Sequence, residues 1–237
     1  MSTKNEQELQ QFYAKMAGLS YVTFTVAGFI NNFFLNGSLS DLSNAPLTSI
    51  FENEMHYRLG ILAETIMFLG VTMASLSYYI VLKPVNKQLS MTALCFRLVE
   101  IIIGSLVVVL SMAILAISSK ASLIEIMGIE QIRELASVIS SFMMPAFEYS
   151  WIFMGFAGII TFYLFYQSRY IPRAWSVWGM FTYTTLILYP VAKILVPDLP
   201  REVMFVMFPG AFFELGVGIW LLAKGINIPI DGGENIS

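Results

Sequence analysis

Met91–Ile117 reads MTALCFRLVEIIIGSLVVVLSMAILAI, an apolar run in which only Arg97 and Glu100 are charged. At 1.5 Å per residue a helix of this length reaches about 40 Å, more than the roughly 30 Å of a bilayer's hydrocarbon core. A helix also satisfies its own backbone N–H and C=O groups, as lipid requires. A barrel strand would be about 10 residues long and strictly alternating, which this run is not. The rest of the chain agrees: 57% of its 237 residues are hydrophobic and 12% are charged, against about 25% charged in a soluble domain. Mean hydropathy is +0.72. No water-soluble core absorbs that much apolar surface, so the expected fold class is all-α, a polytopic membrane bundle.

Working outward from this run, five more reach spanning length, which gives six expected transmembrane helices at about 16–35, 59–82, 91–117, 143–167, 174–195 and 203–223, in one membrane domain over 1–237. Each ends at a stop such as Asn36-Gly37-Ser38, Lys83-Pro84 or Lys224-Gly225. The polar stretch Met1–Gln11 carries no small-residue cleavage site, so the first run is expected to stay as the first helix. With the N-terminus inside, eight basic residues fall on the cytoplasmic side (Lys4, Lys15, Lys83, Lys87, Arg97, Arg169, Arg173, Lys224) and five outside (Arg58, Lys120, Arg133, Lys193, Arg201). That bias favours an orientation with both termini cytoplasmic, the plasma (cytoplasmic) membrane being the expected location. Trp175, Trp178, Tyr163, Tyr166 and Tyr170 gather near the inner interface, where amphipathic rings anchor.

Of the two longer outer connections, Asn36–Tyr57 is polar and contains a glycosylation-type Asn36-Gly37-Ser38. The other, Ser122–Val138, sets Leu123, Ile124, Met127, Ile132 and Leu135 at helical spacing against Glu125, Glu130, Arg133 and Glu134. An interfacial amphipathic helix before the fourth span is expected there, started by a Ser122–Glu125 capping box.

Four glutamates, Glu64, Glu100, Glu148 and Glu214, fall inside four different spans. A charge at a helix centre costs about 2.5–3.5 kcal/mol even on the lenient insertion scale, so each needs a partner, a proton or water. Arg97 precedes Glu100 by three residues, on one face and within salt-bridge reach. Counting along the helices puts Glu214 near the same depth, so Arg97, Glu100 and Glu214 are expected to meet as a triad. Glu64 and Glu148 lie nearer the outer boundary, with only Arg58 as a nearby cation. Pro145, Pro190 and Pro209, with the carbonyls of Ser141 and Phe205 freed by two of them, join Asn31, Asn32, Thr182, Thr184 and Thr185 in suggesting a polar cavity open to the outer leaflet. Two readings stay open: interhelical hydrogen-bond glue, or a ligand or ion site made of Arg97, Glu100, Glu214, Glu148 and Glu64.

Single Cys95 excludes an internal disulfide and is expected in the helix core; single His56, at the outer mouth, excludes a histidine metal cluster. Net charge -3 leaves no basic surplus for nucleic acid. No phosphate-cradling loop, G-x-S-x-G elbow or H-E-x-x-H is present, and Asp41, Asp198 and Asp231 lie outside the spans, so no catalytic residue, metal or cofactor is expected.

Tyr79-Ile80-Val81-Leu82-Lys83-Pro84-Val85-Asn86-Lys87, Phe96-Arg97-Leu98-Val99-Glu100, Ser168-Arg169-Tyr170-Ile171-Pro172-Arg173, and Glu214 followed by Trp220-Leu221-Leu222-Ala223-Lys224-Gly225 stand in order along the chain. Together they resemble the bacterial integral membrane family called domain of unknown function 4386, from about Ala17 to Gly225. The resemblance implies a six-helix inner-membrane protein without an assigned activity and points to Arg97, Glu100 and Glu214 first. Members usually carry a small residue before the last glutamate where this chain has Phe213, which implies different packing there. The expected function is to bind or move a small or lipid-like molecule through an outward-facing cavity, with the lipid bilayer as its partner. The alternatives are a membrane enzyme using glutamate acid/base chemistry on a lipid or terpenoid, and a structural accessory subunit.

Overall fold

A computed structural model describes residues 3–35, 54–196 and 198–228. Among them are seven α-helices: α1 (Thr3–Ile30), α2 (Glu54–Leu82), α3 (Lys87–Ser118), α4 (Ala121–Met127), α5 (Ile129–Ser168), α6 (Arg173–Leu195) and α7 (Phe208–Lys224). A π-helical turn, Asn31–Leu35, prolongs α1, and a 3-10 stretch, Arg201–Met207, leads into α7. The sequon Asn36-Gly37-Ser38, most of the first outer connection, the Asn32 side chain and Asp231 lie outside the described residues.

Five of these helices are long and apolar enough to cross a membrane: Asn5–Leu35, Glu54–Leu82, Lys87–Ser118, Ile129–Ser168 and Glu202–Lys224. The fifth expected span is the exception. α6 forms where expected, but its tryptophans, tyrosines and threonines lower its hydropathy.

The six long helices close into a ring in which α1 packs on α2, α2 on α3, α3 on α5, α5 on α6, α6 on α7, and α7 back on α1. Burial differs from that of a soluble protein: the interior is largely apolar but also takes in charge, and the outer face is apolar too. Glu64, Arg97, Glu100 and Glu148 are buried, while Leu62, Ile66, Leu69, Met73 and Leu76 form an exposed stripe along α2, and Ile102, Leu106 and Val109 form another on α3. Such contiguous apolar surface is stable against acyl chains and not against water. Cys95 lies on this outer face, not in the core, because its position on α3 turns it away from Arg97 and Glu100.

The interfacial segment also departs from expectation. Gly128, at φ 84, breaks it, so only α4 is separate and the rest runs into the fourth span as one helix of 40 residues with Pro145 inside. At 1.5 Å per residue α5 is about 60 Å long, so roughly half of it extends past the hydrocarbon layer. The Ser122–Glu125 box does not form, because α4 starts a residue earlier with Lys120 at its cap and no side-chain cap bond. Pro209 does not interrupt a helix either. It sits in the first turn of α7, where its missing N–H costs nothing, and Phe205's carbonyl accepts from the Phe208 N–H.

At one end of the ring several chain segments are tied together. Gln10 Nε2 donates to the Val81 carbonyl (3.0 Å) and Gln11 Nε2 to the Lys224 carbonyl (3.4 Å). The Ile226 N–H donates to Gln11 Oε1 (3.0 Å) and the Asn227 N–H to the Tyr170 carbonyl (2.8 Å). The start of α1, the α2–α3 turn, the α5–α6 turn and the segment after α7 therefore lie at the same end.

Candidate functional site

On α3 the three-residue spacing delivers the expected ion pair. Arg97 Nη1 lies 2.9 Å from Glu100 Oε2, and both side chains are more than nine-tenths buried. Neither of those atoms makes a well-angled hydrogen bond, so a buried charge pair keeps hydrogen-bonding capacity to spare.

Glu214 is reached differently. The Tyr183 hydroxyl, from α6, donates to Glu214 Oε1 at 3.0 Å, and the Tyr183 and Tyr21 hydroxyl oxygens are 2.8 Å apart. Tyr183 has one proton and gives it to Glu214, so Tyr21, from α1, donates to Tyr183. The expected direct triad is thereby corrected: no ion pair joins Arg97 to Glu214, because α3 and α7 are not neighbours in the ring. Tyr183 itself is clamped. Its ring stacks on Phe162 (centroids 5.7 Å apart, planes at 17°) and presses against Gly158, where a Cβ would collide with it.

Between the Arg97 and tyrosine groups lies a cavity walled by Tyr21, Ser75, Tyr79, Ser90, Arg97 and Tyr183. Water centres have about 20 Å³ there, which holds about one water. Ser90 and Leu82 carry its wall to the α2–α3 turn, so it runs toward the end where the segments are tied and not toward the other end, as the sequence had suggested.

The remaining two glutamates form separate pairs nearer that other end. Glu64 is fully buried and accepts from Asn31 Nδ2 at 3.0 Å. Glu148 accepts from Lys193 Nζ with both carboxylate oxygens, each at 2.6 Å. The expectation that Glu148 lacks a nearby cation fails because the Lys193 stem, in the last turn of α6, lets its ammonium reach into the bundle while its base stays at the end. Arg58 is engaged with Glu54 one turn away (2.7 Å). Thr184 and Thr185 bond to carbonyls of their own helix and do not join a common polar cavity. The five residues singled out from sequence thus divide into one central group, Arg97, Glu100 and Glu214, and two peripheral acids.

A family model described as "Domain of unknown function (DUF4386)" matches residues 16–225. The chain belongs to the DUF4386 family. No curated protein and no solved structure matches it. The DUF4386 match takes in every group of the central site, from Tyr21 to Glu214. Phe213, the departure noted before the last glutamate, is fully buried against Phe162 (4.9 Å) and beside Trp175 and Trp178, so in this DUF4386 chain it supplies the wall behind Tyr183. The interface anchors divide likewise. Trp175 and Trp178 stack (5.5 Å, 4°), and Arg173 covers the Tyr166 ring, whereas Tyr170 is buried and holds Asn227 through its carbonyl.

Sequence reasoning missed Tyr21, Tyr183 and Lys193. The two tyrosines had a signal: Tyr183 lies mid-run and Tyr21 more than a turn inside its run, where a hydroxyl in hydrocarbon needs a partner.

Proposed function

We propose that this DUF4386 protein crosses a bacterial inner membrane six times, with α4 lying at the outer interface, and binds a small or lipid-like molecule at the buried Arg97 site in concert with a proton. The tied end supports that crossing number. Gln11, near the start of the first span, and Ile226, just after the last, are hydrogen-bonded, which favours an even number of crossings with α6 as the sixth. Arg97 and Lys193 are bound within the ring, which leaves seven basic residues at the tied end against four at the other and supports a cytoplasmic tied end.

One observation carries the binding reading. Arg97 is a guanidinium held inside a membrane bundle, on a cavity wall, with its donors not used up by the protein. Intramembrane charge of this kind is expensive and marks functional sites. The cavity's direction makes cytoplasmic access the supported route, in place of the outward one. Charge bookkeeping brings in the proton: one guanidinium faces two carboxylates, so the set is neutral when one acid is protonated.

The small cavity favours a second reading, in which the acids and tyrosines only pin helices together. Glu100→Gln and Glu214→Gln, made singly, separate the two. For the site reading, both variants keep the wild-type melting temperature in detergent and lose a copurifying molecule seen by native mass spectrometry of the wild type. Loss of stability in both, with no bound molecule in any sample, leaves the pinning reading standing.

A further inference from the structure

Glu214 is connected to the cavity through hydroxyl groups alone. Tyr21 and Tyr183 both wall the cavity, their oxygens are 2.8 Å apart, and Tyr183 donates to Glu214 Oε1 at 3.0 Å. The chain crosses three helices, from α1 to α6 to α7, and every donor in it points toward the carboxylate. Both tyrosine side chains are buried, with Tyr183 packed between Phe162 and Phe213 and Tyr21 against Phe24 and Tyr78, so the line has fixed geometry. The ionisable groups near Glu214 are Tyr183 from α6, Tyr21 from α1, Tyr78 from α2, and Arg97 with Glu100 from α3. Of these, only Tyr183 hydrogen-bonds to Glu214.

We propose that Tyr21 and Tyr183 form a proton relay that loads Glu214 from water in the cavity beside Arg97. A hydronium in the cavity gives a proton to Tyr21 Oη. Tyr21 passes its own proton to Tyr183 Oη, and Tyr183 passes its proton to Glu214 Oε1. The cavity is left with water, both tyrosines remain neutral hydroxyls, and Glu214 becomes a neutral carboxylic acid. Rotation of the two hydroxyls then resets the line. Neutral Glu214 leaves Arg97 and Glu100 as a balanced pair. Charged Glu214 leaves this group of three with one net negative charge. The relay therefore supplies the proton that the ligand-binding reading of this site invokes and rests on that reading for its purpose, though its operation needs no ligand.

The test is infrared difference spectroscopy of the ligand-free full chain in nanodiscs, following the carbonyl stretch of a protonated carboxylic acid after a jump to acid pH. The wild type is expected to gain such a band with one component that Glu214→Gln lacks, while the components from the other carboxyl groups remain in both. Tyr183→Phe removes the hydrogen bond to the carboxyl, so its band shifts to higher frequency and appears about tenfold more slowly, a barrier increase of about 1.4 kcal/mol. Tyr21→Phe slows the band without shifting it, and decides the matter alone if Tyr183→Phe fails to fold. The proposal is overturned if wild type and Glu214→Gln give the same protonated-carboxyl spectrum or if both phenylalanine variants load at the wild-type rate. Because no ligand is present, loss of a copurifying molecule elsewhere leaves this result unaffected, and the two readings fail separately.

Discussion

Lys193 shows how a residue's role depends on reach more than on position. Its Cα belongs to the end of α6, and a linear count places it among the outer-side basic residues, yet its ammonium binds both oxygens of the buried Glu148 at 2.6 Å. The Glu148 carboxyl is 6% exposed and the lysine side chain 43%, so the acid depends on the pair more than the lysine does. Lys193→Met is expected to destabilise the protein by about 2 kcal/mol, the cost of leaving a buried acceptor without its charged donor. Glu148→Gln alone costs less, since it removes the charge that needs compensation, and adding it to Lys193→Met recovers part of the loss. Thermal unfolding of the three variants in one detergent checks the ordering; equal losses in Lys193→Met and the double variant defeat it. Arg97 and Glu100 were legible from spacing because both sit on one helix and i, i+3 geometry needs no tertiary knowledge. Glu148 with Lys193, and Glu214 with Tyr183, depend on which helices are neighbours, and that information is not local.

Among the elements, the closure of the ring rests on small residues. α1 and α7 meet where a Cβ on Gly18 would lie 2.7 Å from the Gly218 carbonyl oxygen and collide with the Leu222 backbone nitrogen. Close backbone approach at glycine is how helices gain packing energy in lipid, where the hydrophobic effect does not drive them together. Gly18→Val is therefore expected to cost about 1–3 kcal/mol, the range for forcing volume into a packed contact. Gly28 lies on the same helix, but its nearest neighbour is the Met67 sulfur at 3.5 Å. Gly28→Ala should be neutral or gain up to about 1 kcal/mol from helix propensity. A cysteine pair across α1 and α7 should cross-link in Gly28→Ala and lose efficiency in Gly18→Val; equal cross-linking and melting in both variants would refute the contact's role. Apolar runs announced the helices themselves, with two misreadings of different origin. A single glycine at positive φ split off α4 and let the remainder fuse into α5, a break too short for a composition window to register. The proline in the first turn of α7 was read as freeing the Phe205 carbonyl inside a span because only the 3-10 stretch before it reveals where that helix begins.

For the molecule as a whole, the ring and its tied end convert a question of hydropathy into one of parity. By composition α6 falls short of a spanning helix, since Tyr183, which lines the site, and the buried Thr182 and Thr185 occupy the same 23 positions that must cross. A helix flanked by α5 and α7 needs less apolar surface than one wholly facing lipid, so hydropathy understates it. Membership of the bundle class was legible from composition. The sixth crossing is supported by hydrogen bonds between distant segments, which no window along the sequence contains. With Cys95→Ala as background, Asn227→Cys places a thiol at the tied end and Glu125→Cys one on α4 at the opposite end, both on exposed side chains. A membrane-impermeant maleimide added to intact spheroplasts is expected to label Glu125→Cys, and to label Asn227→Cys only after lysis. Reversal of that pattern would invert the orientation drawn from seven basic residues against four. Labelling of both sites before lysis would mean that the two ends share one side of the membrane, which no ring of six crossing helices permits.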